Sequence, residues 1–280
     1  MKVVVLINGR FVPRASAKVS IFDNAFLYAE GLFETFLVVD GHILFSDIHL
    51  DRLYRGAKAI DLAIPATRKQ IESWLAATAK THPDRILKLR LTVSAGESAR
   101  WIGTQGKPQI IVIASPHEMP MHPFALWLSP HKVDQDSEFR QIKTLSYVIQ
   151  ASALRQAKAH RCHDALLLNQ RGNIAEVTSA NIFWVRNGRI YTPPLSAGCL
   201  DGVTRRIVIR EAHKAGFDIV EANSTVKGLL SADEVFISSS LKLVVAVHKL
   251  VIDGKTHSLP IGSVTGALAE RFYRLAGIWD

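Results

Sequence analysis

Lys143 sits where a lysine is unusual. It lies in RQIKTLSYVIQASALRQAKAH, residues 140–160, ahead of Tyr147, Ala151, Leu154 and Ala157, which recur at spacings of three and four. That pattern predicts a helix with Thr144 or Ser146 as its cap. Lysines usually favour the other end of a helix, where the macrodipole stabilises a cation. A partly desolvated amine near a helix N-terminus titrates lower, and the neutral amine is the form that condenses with an aldehyde. The alternative is a solvated lysine in a loop.

Three further features invite chemistry. Glu176 falls within an apolar, small-residue run, 174–183, where a carboxylate needs a partner because unpaired burial is costly. An edge-strand glutamate in water fits the same pattern. In SAGCLDGVTRRIVIREAHKAG, a turn bearing Gly198 and Gly202 leads into a helix that begins near Thr204 and stops at Gly216. Free N–H groups and a hydroxyl in that first turn suit a phosphate, although plain helix caps look alike. The hydroxyls of Ser238, Ser239 and Ser240 follow the strand EVFI and suit the same ligand, or simply end a strand. His160, Cys162 and His163 lack a fourth ligand and sit at a helix end, so no metal is expected. Cys199 is given no catalytic role.

These residues must be positioned by a mixed set of elements. VVVLING and GLFETFLVV read as strands, with GHILF returning across the Asp40-Gly41 turn. HLDRLYRGAKAI and residues 69–79 read as helices, followed by strands at ILKLRLTVSA and QIIVIAS. PHEMPMHP, residues 116–123, carries three prolines and reads as a linker. Short strands dominate beyond it, including a hairpin through Asn187-Gly188. Two α+β domains are expected, a smaller one at 1–117 and a larger one at 124–280, with the linker at 118–123.

Composition narrows the class. The chain is 48% hydrophobic and 21% charged, without a low-complexity tract or an apolar run long enough to span a bilayer. MKVVVLINGRFVPR has no small-residue cleavage site and is not read as a signal peptide. Two cysteines give no disulfide framework, which points to the cytoplasm. The net charge of +9 is spread along the chain, so an anionic small molecule explains it without nucleic acid.

The order of motifs is more specific than any one of them. FET, HLxRL, a lysine ahead of a helix, ExxxANIF, GxLxGVTR and EVFISSSL follow one another across about 7–252. In that order they resemble the class IV aminotransferase family, the fold-type IV pyridoxal 5'-phosphate (PLP) enzymes, in which the larger domain has a barrel-like β core. The resemblance implies that Lys143 binds the cofactor aldehyde and later carries a proton, for which it must be neutral. Glu176 would hold the pyridine nitrogen protonated. Arg52 would reach the phosphate, with Val203, Thr204, Ser239 and Ser240 completing its cup, and Tyr147 would bond the ring hydroxyl. Tyr28, Phe33, Arg100 and Leu241 become candidates for the substrate pocket. A homodimer is implied, with neither membrane nor nucleic acid as partner.

Within that family the reaction is open. Thr35 after Phe33-Glu34, the SSSL segment and SAGESAR at 94–100 resemble 4-amino-4-deoxychorismate lyases, which release 4-aminobenzoate and pyruvate in the folate pathway. Branched-chain enzymes usually carry glycine at the position of Thr35. Ala95 stands where the lyase pattern has its first arginine. Asp201 and Ala246 replace usual prolines, and Val177 replaces a common glycine. The lyase is the expectation, and a branched-chain or D-amino acid aminotransferase is the alternative.

Overall fold

The computed structural model describes residues 2–98, 103 and 106–279. The chain forms two compact units, one of Met1–Glu118 with Ile142–Ser146, the other of Met119–Gln141 with Tyr147–Asp280.

The first unit contains β1 (Val4–Ile7), β2 (Arg10–Val12), α1 (Asn24–Tyr28), β3 (Gly31–Val39) and β4 (His42–Ile43). It continues with α2 (Ser46–Ala59), α3 (Arg68–Thr81), β5 (Ile86–Glu97) and β6 (Lys107–Pro116). Among the described residues its strands make a six-stranded sheet in the order β2-β1-β6-β5-β3-β4. Asp40 and Gly41 both take positive φ, 48° and 77°, so the predicted turn joins β3 to β4. Alternation along β3 sends Leu32, Phe36 and Val38 into the buried cluster that Leu50, Leu53, Ile71 and Leu75 complete from α2 and α3. Thr67 and Gln70 form a capping box that fixes the start of α3.

The expected helix after Lys143 starts later than its local signals suggest. It is α4 (Val148–Ala159), entered through Tyr147 with no side-chain cap, so Lys143 does not adjoin its N-terminus. Residues before it are held as an extended segment instead. Phe33 N donates to Lys143 O at 3.0 Å, Leu145 N donates to Gly31 O at 3.0 Å, and Leu32 bridges Thr144. The free edge of β3 thus outcompetes the capping hydroxyls, because it satisfies backbone groups that a cap would leave open. Gly31 permits this approach: a Cβ there would lie 2.6 Å from Val93 O and 2.7 Å from the Leu145 side chain.

The second unit begins with β7 (Phe124–Val133) and α4, then β8 (Asp164–Asn169), β9 (Ile174–Val177), β10 (Asn181–Arg186) and β11 (Arg189–Thr192). It continues through α5 (Val203–Lys214), β12 (Ile219–Glu221), α6 (Val226–Leu230), β13 (Glu234–Ser239), β14 (Leu243–Ile252), β15 (Lys255–Ser258) and α7 (Ser263–Leu275). Among the described residues, eight strands follow the order β12-β11-β10-β13-β14-β7-β8-β9, with β15 beside β14. Ile182 of β10 and Val177 of β9 share one buried cluster although five places separate their strands, so the sheet curls on itself. Its other face is covered too: Ala125, Trp127, Ala165 and Leu167 pack with Ala153 and Ala157 of α4. Burial on both faces explains why DALLLN reads as a continuous apolar run.

Candidate functional site

In the first unit the extended segment sets Lys143 beside the opening residues of β3. Its Nζ lies 4.4 Å from the centre of the Phe33 ring, and the Arg90 guanidinium lies 3.8 Å from the same centre. Leu32, Phe33, Glu34, Arg52, Leu53, Gly56 and Lys143 line one shallow depression. Gly56 leaves room for this segment, since a Cβ there would come within 3.0 Å of Ile142 Cγ2.

Two of those lining residues, Glu34 and Arg52, form a buried triad with His49 behind them. Glu34 from β3 is 0% exposed, His49 1% and Arg52 6%, the last two one turn apart on α2. Arg52 Nε donates to Glu34 Oε1 at 2.8 Å and Nη2 to Oε2 at 2.6 Å. His49 Nδ1 stands 2.6 Å from Oε2, and an ionised carboxylate can only accept, so His49 carries its proton on Nδ1. Burial alone would raise the Glu34 carboxyl, yet Arg52 and then His49 outweigh it and bring it from 4.5 to about 2. Burial pushes His49 below 6.5 against the pull of Glu34, and the charges of Arg52 and Lys143 push the same way as burial.

Both shifts make the fold acid-sensitive. The unfolded chain protonates His49 below 6.5 and Glu34 below 4.5, while the folded chain resists both. Stability is therefore complete above 6.5 and is lost as pH falls, with Glu34 contributing on the order of 3 kcal/mol between 4.5 and 2. The urea midpoint is expected to drop between pH 7 and 5, and His49→Gln to flatten that part of the curve. An unchanged slope in the variant would remove His49 from this account.

In the second unit, Glu176 on β9 is 6% exposed. Its Oε1 accepts from Arg140 Nη2 at 2.6 Å and its Oε2 from Leu200 N at 2.8 Å. Arg140 also donates through Nε to Gly198 O at 2.9 Å. The carboxylate is thus anchored between the 3-10 turn Glu138–Gln141 and the loop at Leu200, and the water-exposed alternative does not apply. Burial, then Glu176, pushes the nearby Cys199 thiol up to about 12, which keeps it protonated.

The glycine turn enters α5 at Gly202, whose capping position has no side-chain hydrogen bond. A Cβ at Gly202 would overlap Asn181 Oδ1 at 1.9 Å, and Asn181 Nδ2 donates to Leu200 O at 2.8 Å. Asp201, in place of proline, is tied to Arg206 by a charge-assisted fork that stiffens the turn. Val203 and Thr204 are buried in the first turn, and Thr204 Oγ1 and Ser238 Oγ have no hydrogen-bond partner among the described residues. Two buried hydroxyls and a helix N-terminus without a side-chain cap fit an anionic group such as a phosphate. Ser239, Ser240 and Leu241 follow where β13 turns back, and each of these three is half-buried.

The pattern of the family described as Amino-transferase class IV matches residues 31–250. The chain belongs to the class IV aminotransferase family. A protein of Methanocaldococcus jannaschii, provisionally named a branched-chain-amino-acid aminotransferase, is 33% identical over 98% of this chain and 97% of its own. The aminodeoxychorismate lyase of Bacillus subtilis strain 168 is 29% identical over 95% and 92%. The T.th. branched-chain amino acid aminotransferase, solved with N-(5'-phosphopyridoxyl)-L-glutamate, has a TM-score of 0.89, with 26% identity over 98% and 94%. This class IV enzyme is therefore PLP-dependent, with the expected α+β fold.

The motifs are legible in the sequence, but two of their members have roles that only the fold reveals. Glu34 is a carboxylate in an apolar strand, the same signal that marked Glu176, and His49 opens the HLxRL motif. Arg140 gave no signal, because only the folded chain brings it to Glu176. Tyr147 is half-buried at the entry to α4, Tyr28 is exposed at the end of α1, and Arg100 lies outside the described residues.

Proposed function

We propose that this class IV enzyme is a 4-amino-4-deoxychorismate lyase that releases 4-aminobenzoate and pyruvate. Thr35 carries the reading. Strand pairing sets Phe33 opposite Thr92 and Thr35 opposite Arg90, so Thr35 shares one sheet face with Phe33, the ring beside Lys143. A side chain there narrows the space that glycine leaves open in branched-chain enzymes.

When bound, PLP supplies an electron sink for the carbanion at the substrate carbon that bears the amine. Lys143 binds the cofactor and takes the proton from that carbon. Glu176 keeps the ring nitrogen protonated, and Tyr147 bonds the ring hydroxyl. Arg52, Val203, Thr204, Ser239 and Ser240 hold the phosphate, while Tyr28, Phe33 and Leu241 contact substrate.

An aminotransferase is the second reading, supported by the 33% identity to the Methanocaldococcus jannaschii protein. Visible absorption separates the two. The purified enzyme is titrated with L- and D-amino acids in the absence of any 2-oxo acid. A lyase keeps its yellow band with every donor and cleaves aminodeoxychorismate. Bleaching by one donor would overturn the lyase and identify a transaminase substrate.

The enzyme also reads as a homodimer. Ile21, Phe22 and Phe26 are 64%, 59% and 67% exposed, and that segment is not loose. Asp23 accepts from Ala25 N at 2.8 Å and from Ser94 Oγ at 2.7 Å. A rigid exposed apolar patch suits a protein partner, and a monomeric mass by light scattering would sink the assignment. Cys162 and Cys199 are free and buried, which fits a reducing cytoplasm. Among the described residues no helix is long and apolar enough to cross a membrane.

A further inference from the structure

We propose that Glu34 is a positioning residue that aims Arg52 at the cofactor phosphate. This rests on the reading that Arg52 is a phosphate ligand and adds the group that makes it one. A guanidinium offers two forks to anions, a side fork of Nε with one terminal nitrogen and an end fork of both terminal nitrogens. Glu34 engages the side fork, with Nε to Oε1 at 2.8 Å and Nη2 to Oε2 at 2.6 Å. A second anion therefore meets Arg52 end-on, and the plane and direction of that end fork are set by the carboxylate.

Three observations make this more than a buried ion pair. The carboxylate is itself fixed, because His49 Nδ1 holds Oε2 at 2.6 Å from the helix that carries Arg52. Glu34 and Arg52 line the same depression as Lys143, so the orientation is delivered beside the amine. The triad is also shut from water, with Glu34 and His49 at 0% and 1% exposure, so no solvent competes for the side fork. Glu34 is assigned no contact of its own with cofactor or substrate. Its effect passes through Arg52 alone, which predicts selectivity for the phosphorylated form of the cofactor.

The test compares the dissociation constants of pyridoxal 5'-phosphate and pyridoxal, both read from the absorbance of lysine-bound aldehyde. Glu34→Gln keeps the volume but sets an amide N–H against the guanidinium. It is expected to weaken pyridoxal 5'-phosphate at least about 10-fold while moving pyridoxal less than about 2-fold, reducing the preference between them. A folded variant that weakens both alike would overturn the proposal, as would an unchanged ratio. Arg52→Ala is the control for the underlying reading. If it leaves the ratio intact, Arg52 is no phosphate ligand and that assignment fails first. If Arg52→Ala lowers the ratio and Glu34→Gln does not, only the positioning role falls. Should Glu34→Gln not fold, Arg52→Lys decides. A single ammonium taken by Glu34 has no second fork, so the ratio drops as it does for Arg52→Ala, whereas a preserved ratio overturns the proposal.

Discussion

Lys143→Ala yields a folded protein without a yellow band and with turnover reduced by more than about 10⁴-fold. The fold survives because the segment is held through its backbone. Phe33 N donates to Lys143 O and Leu145 N to Gly31 O, both at 3.0 Å, and neither bond uses the side chain. The stability change is expected within about 1 kcal/mol, the scale of losing the ammonium from its place over the Phe33 ring. Chemistry has no such reserve in the proposed mechanism, where one amine is to bind the cofactor and to move the proton. The visible absorption band, read together with the melting temperature, checks this prediction. A normal band in the variant would remove Lys143 from the centre of the site.

Glu176→Gln behaves in the opposite way, keeping the band and losing the rate. The amide preserves volume and one acceptor, so the loop carrying Leu200 stays close to its place. In the proposed mechanism, however, the carboxylate keeps the ring nitrogen protonated, so turnover is expected to fall at least about 100-fold. Stability falls as well, by about 2 kcal/mol, because Arg140 loses an ionised partner 2.6 Å away. Glu176→Ala costs more, about 3 kcal/mol, since the Arg140 charge and the Leu200 N–H then both lose their acceptor. Single-turnover rates beside urea midpoints separate the two effects. Equal rates for Glu176→Gln and the native enzyme would show that Glu176 only ties loops together.

Much of this molecule can be read from short stretches, and the exceptions share a cause. Asn187 and Gly188 have φ of 51° and 72°, the positive values that only such residues adopt readily, so their hairpin is legible locally. Gly216, φ 80°, closes α5 for the same reason. The parallel pairing of β7 with both β14 and β8 is not local, and no residue of β7 announces it. The start of α4 misleads because Thr144 and Ser146 are good caps, but Lys143 and Leu145 beside them bond through their backbone to a strand more than 100 residues earlier. Glu176 could be singled out because a carboxylate stood alone in an apolar run. Its partner Arg140 lies in a single 3-10 turn, Glu138–Gln141, where arginine is unremarkable.

The interrupted course of the chain bears on how the enzyme is made. Residues 142–146 complete the first unit, although 119–141 before them belong to the second. On the ribosome, the first 118 residues emerge with the edge of β3 still waiting for its last segment, and that segment arrives only after β7 has been synthesised. Neither unit is therefore a cassette that a gene fusion could carry elsewhere intact. A cut in the proline-rich stretch near residue 120 gives an N-terminal fragment that lacks the lysine, and a C-terminal fragment that carries it without the strand that holds it.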